Sequence, residues 1–158
     1  MSDASKPAKR KFDTLAQETY LSLWRSYDRL KAIEDHFFSG YRITAQQYNV
    51  LRLLELANKP VPTLSIAAKL VSRAPDITRM LDRLEKDEWI IRKRSKEDRR
   101  AVLVSITPKG KERLAEIAQP LDEMHQQQLG HLPPEDLEQL CKLLSQARRP
   151  HEANDSYW

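Results

Sequence analysis

The sequence predicts a mainly α-helical protein with one small β-hairpin. Three observations carry that expectation. Apolar residues recur at steps of three to five along most of the 158 residues, the period switches to two over one stretch near Val102, and only three glycines occur to make tight left-handed turns.

Met1 to Lys11 is a polar arm carrying Lys6, Lys9, Arg10 and Lys11 without apolar anchors, and it is expected to be disordered on its own. From Phe12 the apolar positions Leu15, Tyr20, Leu23, Trp24, Tyr27, Leu30, Ile33 and Phe37 predict a long first helix, with a stripe broader than one small domain needs. Thr44 and Gln47 have the spacing of a capping box, and Tyr48, Leu51 and Leu54 mark the buried face of a second helix that Pro60 and Pro62 end. Thr63 then reads as the N-cap of a short helix with Leu64, Ile66, Ala67 and Leu70 on its apolar face. After a break at Val71-Ser72-Arg73, a further helix places Ile77, Met80, Leu81 and Leu84 on one stripe. Pro75 suits its first turn and Ser72 is a candidate cap.

Val102, Val104 and Ile106 fall on one side of a strand, and Ile91 with Lys93 begins its antiparallel partner. The hairpin tip, roughly Arg94 to Arg100, is too polar to pack. Ile91 to Arg100 holds six Lys/Arg against two acidic residues, a local net charge of +4. By itself such a run reads as a solvated hairpin. Directly after two short helices it reads as the wing of a winged helix-turn-helix, able to lie along a nucleic-acid backbone. Beyond the wing, Thr107-Pro108 reads as a cap followed by proline at the first helical position, with Leu114, Ile117, Leu121 and Met124 on the apolar face. Pro120 predicts a kink or break near Ala118. Leu132-Pro133-Pro134 marks the next boundary, Leu137, Leu140, Cys141 and Leu144 form a last amphipathic helix, and Arg148 to Trp158 shows no period.

The face of the second short helix opposite its apolar stripe suggests double-stranded DNA as the partner. Arg73, Thr78 and Arg79 are the candidates for base edges, because an Arg fork matches guanine and Thr can approach a thymine methyl. Ser72 and Arg83 are candidate phosphate contacts. Asp76 has two readings: acceptor from cytosine, or complement to the helix dipole.

The run ITRMLDRLEKDEWIIRKRSKEDRRAVLVSITPKG resembles the multiple-antibiotic-resistance regulator (MarR) family. The likeness lies in the recognition helix, the Asp-x-Arg wing motif at Asp98 and Arg100, and the closing Ile106, Thr107 and Gly110. It extends over nearly the whole chain and implies one domain at 12–147. Within it, 42–107 would be the winged helix-turn-helix, and 12–38 with 108–147 would be helices that interlock with a second copy into a dimerisation base. The arm at 1–11 and the tail at 148–158 flank that domain. The resemblance further implies a homodimer on a pseudo-palindromic operator, acting as a repressor of nearby genes. Arg100 would enter the minor groove with Asp98 holding its guanidinium, while Arg94, Lys96 and Arg99 would meet phosphates. Many members of the family release DNA on binding a small anionic or phenolic effector, and Tyr20, Trp24, Tyr27, His36, Phe37, Arg42 and Tyr48 are this chain's candidates to line such a cleft. The same aromatic residues also read simply as core.

Composition fits a small regulator: 40% hydrophobic, 32% charged and a net charge of +4. There is no apolar run of about 18 residues to span a membrane and no signal-peptide core, so a cytoplasmic protein is expected. The single Cys141 is expected to be a buried, inert thiol on the last helix, and His36, His125, His131 and His151 are scattered without ligand-pair spacing, so no metal is expected. No phosphate loop or nucleophile elbow occurs; the sequence gives no reason to expect an enzyme or a cofactor. The alternative reading is a winged-helix module that binds protein rather than DNA.

Overall fold

The computed structural model describes residues 12–70 and 76–152. Six α-helices and three strands follow in the order α1 (Leu15–Gly40), α2 (Ala45–Ala57), β1 (Val61–Pro62), α3 (Thr63–Lys69), α4 (Ile77–Lys86), β2 (Ile90–Arg94), β3 (Val102–Ile106), α5 (Pro108–Leu129) and α6 (Pro134–Arg148) among the described residues. The expected arm at 1–11, the expected break at Val71-Ser72-Arg73 together with Pro75, and the end of the tail from 153 lie outside them.

Local chemistry sets the helix ends. Thr14 caps α1 by accepting the Gln17 N–H at 3.1 Å, and the Thr44 and Gln47 capping box of α2 is complete in both directions. Asn58 ends α2 in the left-handed conformation that Asn tolerates better than most residues. The Thr107 hydroxyl accepts the Gly110 N–H at 3.0 Å and donates to the Glu88 carbonyl at 2.6 Å, so it caps α5 and fastens it to the turn between α4 and β2. α5 runs as one helix through Pro120, so the expected break near Ala118 does not occur. The carbonyl that Pro120 leaves without a helical partner belongs to Glu116, on an exposed turn where solvent can satisfy it.

The core gathers Val50, Leu51 and Leu54 of α2, Ile66 of α3, Leu81 and Leu84 of α4, Ile90 and Val104 of the sheet, and Leu114 and Ile117 of α5. Leu64 is not part of it: it is 84% exposed, because it lies two residues from Ile66 and so on the opposite face of α3. The sheet has three strands in the order β1-β3-β2, all antiparallel, where the sequence suggests two. The unforeseen β1 pairs Val61 with Val104 and Pro62 with Leu103, and the Thr63 hydroxyl donates to the Val102 carbonyl instead of capping α3. Ile90, Arg92 and Arg94 stand opposite Ile106, Val104 and Val102. That register buries Ile90 and leaves Ile91 exposed, one residue out of phase with the expected face.

α1 and α6 are different. Leu15, Tyr20, Leu23, Trp24, Tyr27 and Ile33 of α1 are exposed, and α6 buries no residue at all. Cys141 is exposed, not buried as expected, because none of the described residues covers its face of α6.

Candidate nucleic-acid interface

α4 begins at its cap. Asp76, not Ser72, takes the N-cap position: its Oδ1 accepts the Arg79 N–H at 2.9 Å and its Oδ2 lies 3.1 Å from Arg79 Nε. One carboxylate thus ends the helix and leans Arg79 along it, while the Arg79 side chain stays 80% exposed. With Ile77 and Met80 half-buried and Leu81 and Leu84 buried, Thr78, Arg79, Asp82, Arg83 and Lys86 are left on the solvent side.

This solvent side is divided in two by Arg92 of β2, which the sequence suggested only as one more positive charge of the wing. Its guanidinium lies 2.6 Å from Asp82 and 2.7 Å from Glu85, so one cation bridges the two α4 acids facing the hairpin and offsets part of their charge. The pairing holds the Glu85 carboxyl below the usual carboxylate range, chiefly through the hydrogen bonds from the Arg92 side chain, partly offset by burial. Arg79, Arg83 and Lys86 remain on the other flank, toward the first turn of α2.

The wing tip is ordered by its own polar groups. Ser95 Oγ accepts the N–H groups of Glu97 and Asp98 at 3.2 and 3.3 Å, and Ser95 and Ala101 close the hairpin end at 2.9 Å. Asp98 Oδ1 accepts the backbone N–H of Arg100 at 2.9 Å. Its carboxylate therefore orders the main chain of the tip, in place of the guanidinium contact expected from the resemblance. Arg94, Lys96, Arg99 and Arg100 are all exposed.

The seven candidate cleft residues are not brought together. Phe37 and Tyr48 belong to an aromatic cluster with Phe38 and Tyr41 where α1 meets α2, with ring centroids 5.1 to 5.6 Å apart. Burial there pushes the Tyr48 phenol above its ordinary pKa. His36 and Arg42 are exposed elsewhere. Tyr20, Trp24 and Tyr27 line an apolar groove of about 1100 Å³ together with Leu129, Leu140 and Leu144. Sequence reasoning also missed Arg113 of α5, whose guanidinium sits 5.7 Å from the Tyr41 ring centroid and 5.4 Å from that of Trp89 while donating to the Tyr41 carbonyl. An arginine on a helix face carries no sequence signal for such a role.

A helix-turn-helix whose second helix shows a polar face beside a basic hairpin defines the winged-helix class of protein. The MarR family model matches residues 43–102, the stretch from α2 to the start of β3. A MarR transcription factor from Planctomyces limnophilus is 45% identical over 85% of this chain and 98% of its own, with a TM-score of 0.68. The chain belongs to the MarR family. The transcriptional repressor YetL of Bacillus subtilis is 30% identical over 104 residues, which are 65% of this chain and 62% of the repressor. The match thus spans a little under two thirds of that curated relative. The fold is also that of a MarR mutant from E. coli complexed with operator DNA, 24% identical over 85% of this chain and 99% of that one, with a TM-score of 0.74.

Proposed function

We propose that this chain is a dimeric, sequence-specific DNA-binding transcriptional regulator that represses nearby genes. The observation that carries the reading is the exposed face of α4, with Thr78, Arg79 and Arg83, held by Arg92 beside a basic hairpin. Such a helix suits a major groove and such a hairpin the adjacent backbone and minor groove. Ser72 and Arg73 would extend the helix contacts, and Arg94, Lys96, Arg99 and Arg100 those of the wing. The domain limits at 12–147, with 42–107 reading DNA, follow the same division of labour.

The dimer is supported by the exposed apolar stripe of α1 and the uncovered α6, which leave the 1100 Å³ groove open to a second copy. Two recognition helices would then meet successive major grooves about 34 Å apart, and a pseudo-palindromic operator follows. Release by a small anionic or phenolic effector rests on the resemblance, and an effector screen against the DNA complex checks it. The deciding experiment is fluorescence anisotropy on DNA flanking the coding region against scrambled duplex, across a salt series, together with the solution mass. Selective binding by a dimer with a steep salt slope is the expected result. Unselective binding overturns the reading and favours a winged-helix module whose partner is a protein.

A further inference from the structure

We propose that Arg42 and Lys86 extend the α4 face through Arg83 into a binding site for a phosphate oxyanion at the corner between α1 and α2, beyond the contacts assigned above. These three cations line one cavity of about 380 Å³ with Thr44, Gln47 and a single acid, Asp87. Their side chains make no hydrogen bond or ion pair with other described residues, although five of the seven ion pairs among the described residues join residues no more than seven positions apart, as at Lys31 with Asp35. Three cations around one hollow against the single carboxylate of Asp87 leave a net positive charge there that favours an entering anion.

Arg42 adds a second observation. Its φ is +53°, in the left-handed region where a residue following a helix is ordinarily glycine or asparagine. Its N–H donates to the Ser39 carbonyl at 3.2 Å and the next residue, Ile43, is buried, so the backbone turn is fixed and aims the chain from α1 into α2. An arginine kept at a position suited to glycine places a guanidinium where glycine would leave none.

The DNA backbone is the source of phosphate the geometry favours. Thr44, Gln47 and Arg83 also line the adjoining hollow beside Asp76 and Arg79, so the oxyanion site is continuous with the exposed flank of α4. A strand followed by that helix reaches Arg83 first and Arg42 and Lys86 after it. This source rests on the DNA-binding reading, whereas the site itself does not, because free phosphate would occupy the same cations.

The experiment compares the full-length protein with Arg42→Gly/Lys86→Gln. Arg42→Gly removes the charge while suiting the left-handed backbone, so the variant is expected to fold, and Lys111→Gln serves as the charge control. On duplex DNA, the double variant is expected to lose affinity equally for selected and scrambled sequence and to flatten the slope of log affinity against log salt by about 0.9 per lost contact. In a second arm, the melting temperature is read in inorganic phosphate against chloride at equal ionic strength. An unchanged DNA slope with a phosphate-dependent rise in wild type, absent from the double variant, assigns the site to free phosphate. If wild type fails to select DNA, the regulator reading falls while the phosphate arm still decides the site. An unchanged slope together with equal phosphate response in both proteins overturns the proposal.

Discussion

Glu85 and Arg92 are joined through main chain and side chain at once: Glu85 Oε1 accepts the Arg92 backbone N–H at 3.0 Å, and Oε2 accepts Nε at 3.0 Å and Nη2 at 2.7 Å. A bidentate pair of this kind fixes direction as well as distance. It ties α4 to the first strand of the hairpin at a fixed point, which an apolar contact alone would specify less sharply.

Because Arg92 lowers the Glu85 pKa in the folded state, Glu85 stabilises the protein above the pKa of the unfolded carboxyl, and that contribution is lost as pH falls through the lower folded value. Glu85→Gln should therefore lower the melting temperature near pH 7, and the difference from wild type should shrink as pH falls below about 4.3. Thermal melts of both proteins across pH check this. A difference that stayed constant with pH would mean that packing, not charge, sets the effect.

Gly110 sits where the start of α5 passes the base of the wing. A Cβ built there would lie 2.2 Å from the Trp89 carbonyl oxygen and 2.8 Å from Ile106 Cγ1, and the first of these is backbone that cannot turn aside. Gly110→Ala should cost about 1 to 3 kcal/mol in urea denaturation, the range for overpacking.

Asp76 is a cap in the structure, and its variants separate that role from base reading. Asp76→Ala should lose about 0.5 to 2 kcal/mol of stability, while Asp76→Asn, which keeps an accepting oxygen, should lose much less. Selection of binding sites from random duplex by the Asn variant should return the wild-type sequence. A changed base at one position would assign Asp76 to cytosine.

Arg100 is exposed and its side chain makes no hydrogen bond or ion pair among the described residues. Arg100→Ala should weaken DNA binding by about 1 to 3 kcal/mol with the melting temperature nearly unchanged. Anisotropy titration and a thermal melt of the same preparation test both halves.

Trp24 is 60% exposed in the single chain and lines the apolar groove. Trp24→Asp would place a carboxylate in the surface proposed to meet a second copy, and sedimentation should show a monomer. A variant that stayed dimeric would move the interface elsewhere.

The helices were legible wherever one residue's chemistry acts on its near neighbours. The Thr44 and Gln47 box, the cap and proline at Thr107-Pro108, and the stripes of α2, α4 and α5 all follow from spacings of one to four residues. So did the basic tip of the wing, since charge density is a local property. Family likeness likewise gave Arg100 its place at that tip.

What the tertiary structure decided involves residues far apart or in competition. Strand register buried Ile90 rather than Ile91, because β2 must match Val104 and Ile106 across the ladder. β1 exists only because β3 offers Val61 and Pro62 an edge some forty residues away. Arg92 became a structural clamp when Asp82 and Glu85 came within reach, and Asp98 turned to the Arg100 backbone rather than its guanidinium. Sequence by itself determined the helices and the wing hairpin, through short-range periodicity and capping. Packing alone determined which charges were paired within the fold, as at Arg92, and which, like Arg42, Arg83 and Lys86, have no side-chain hydrogen bond or ion pair among the described residues, because an ion pair depends on distance in space and not on separation along the chain.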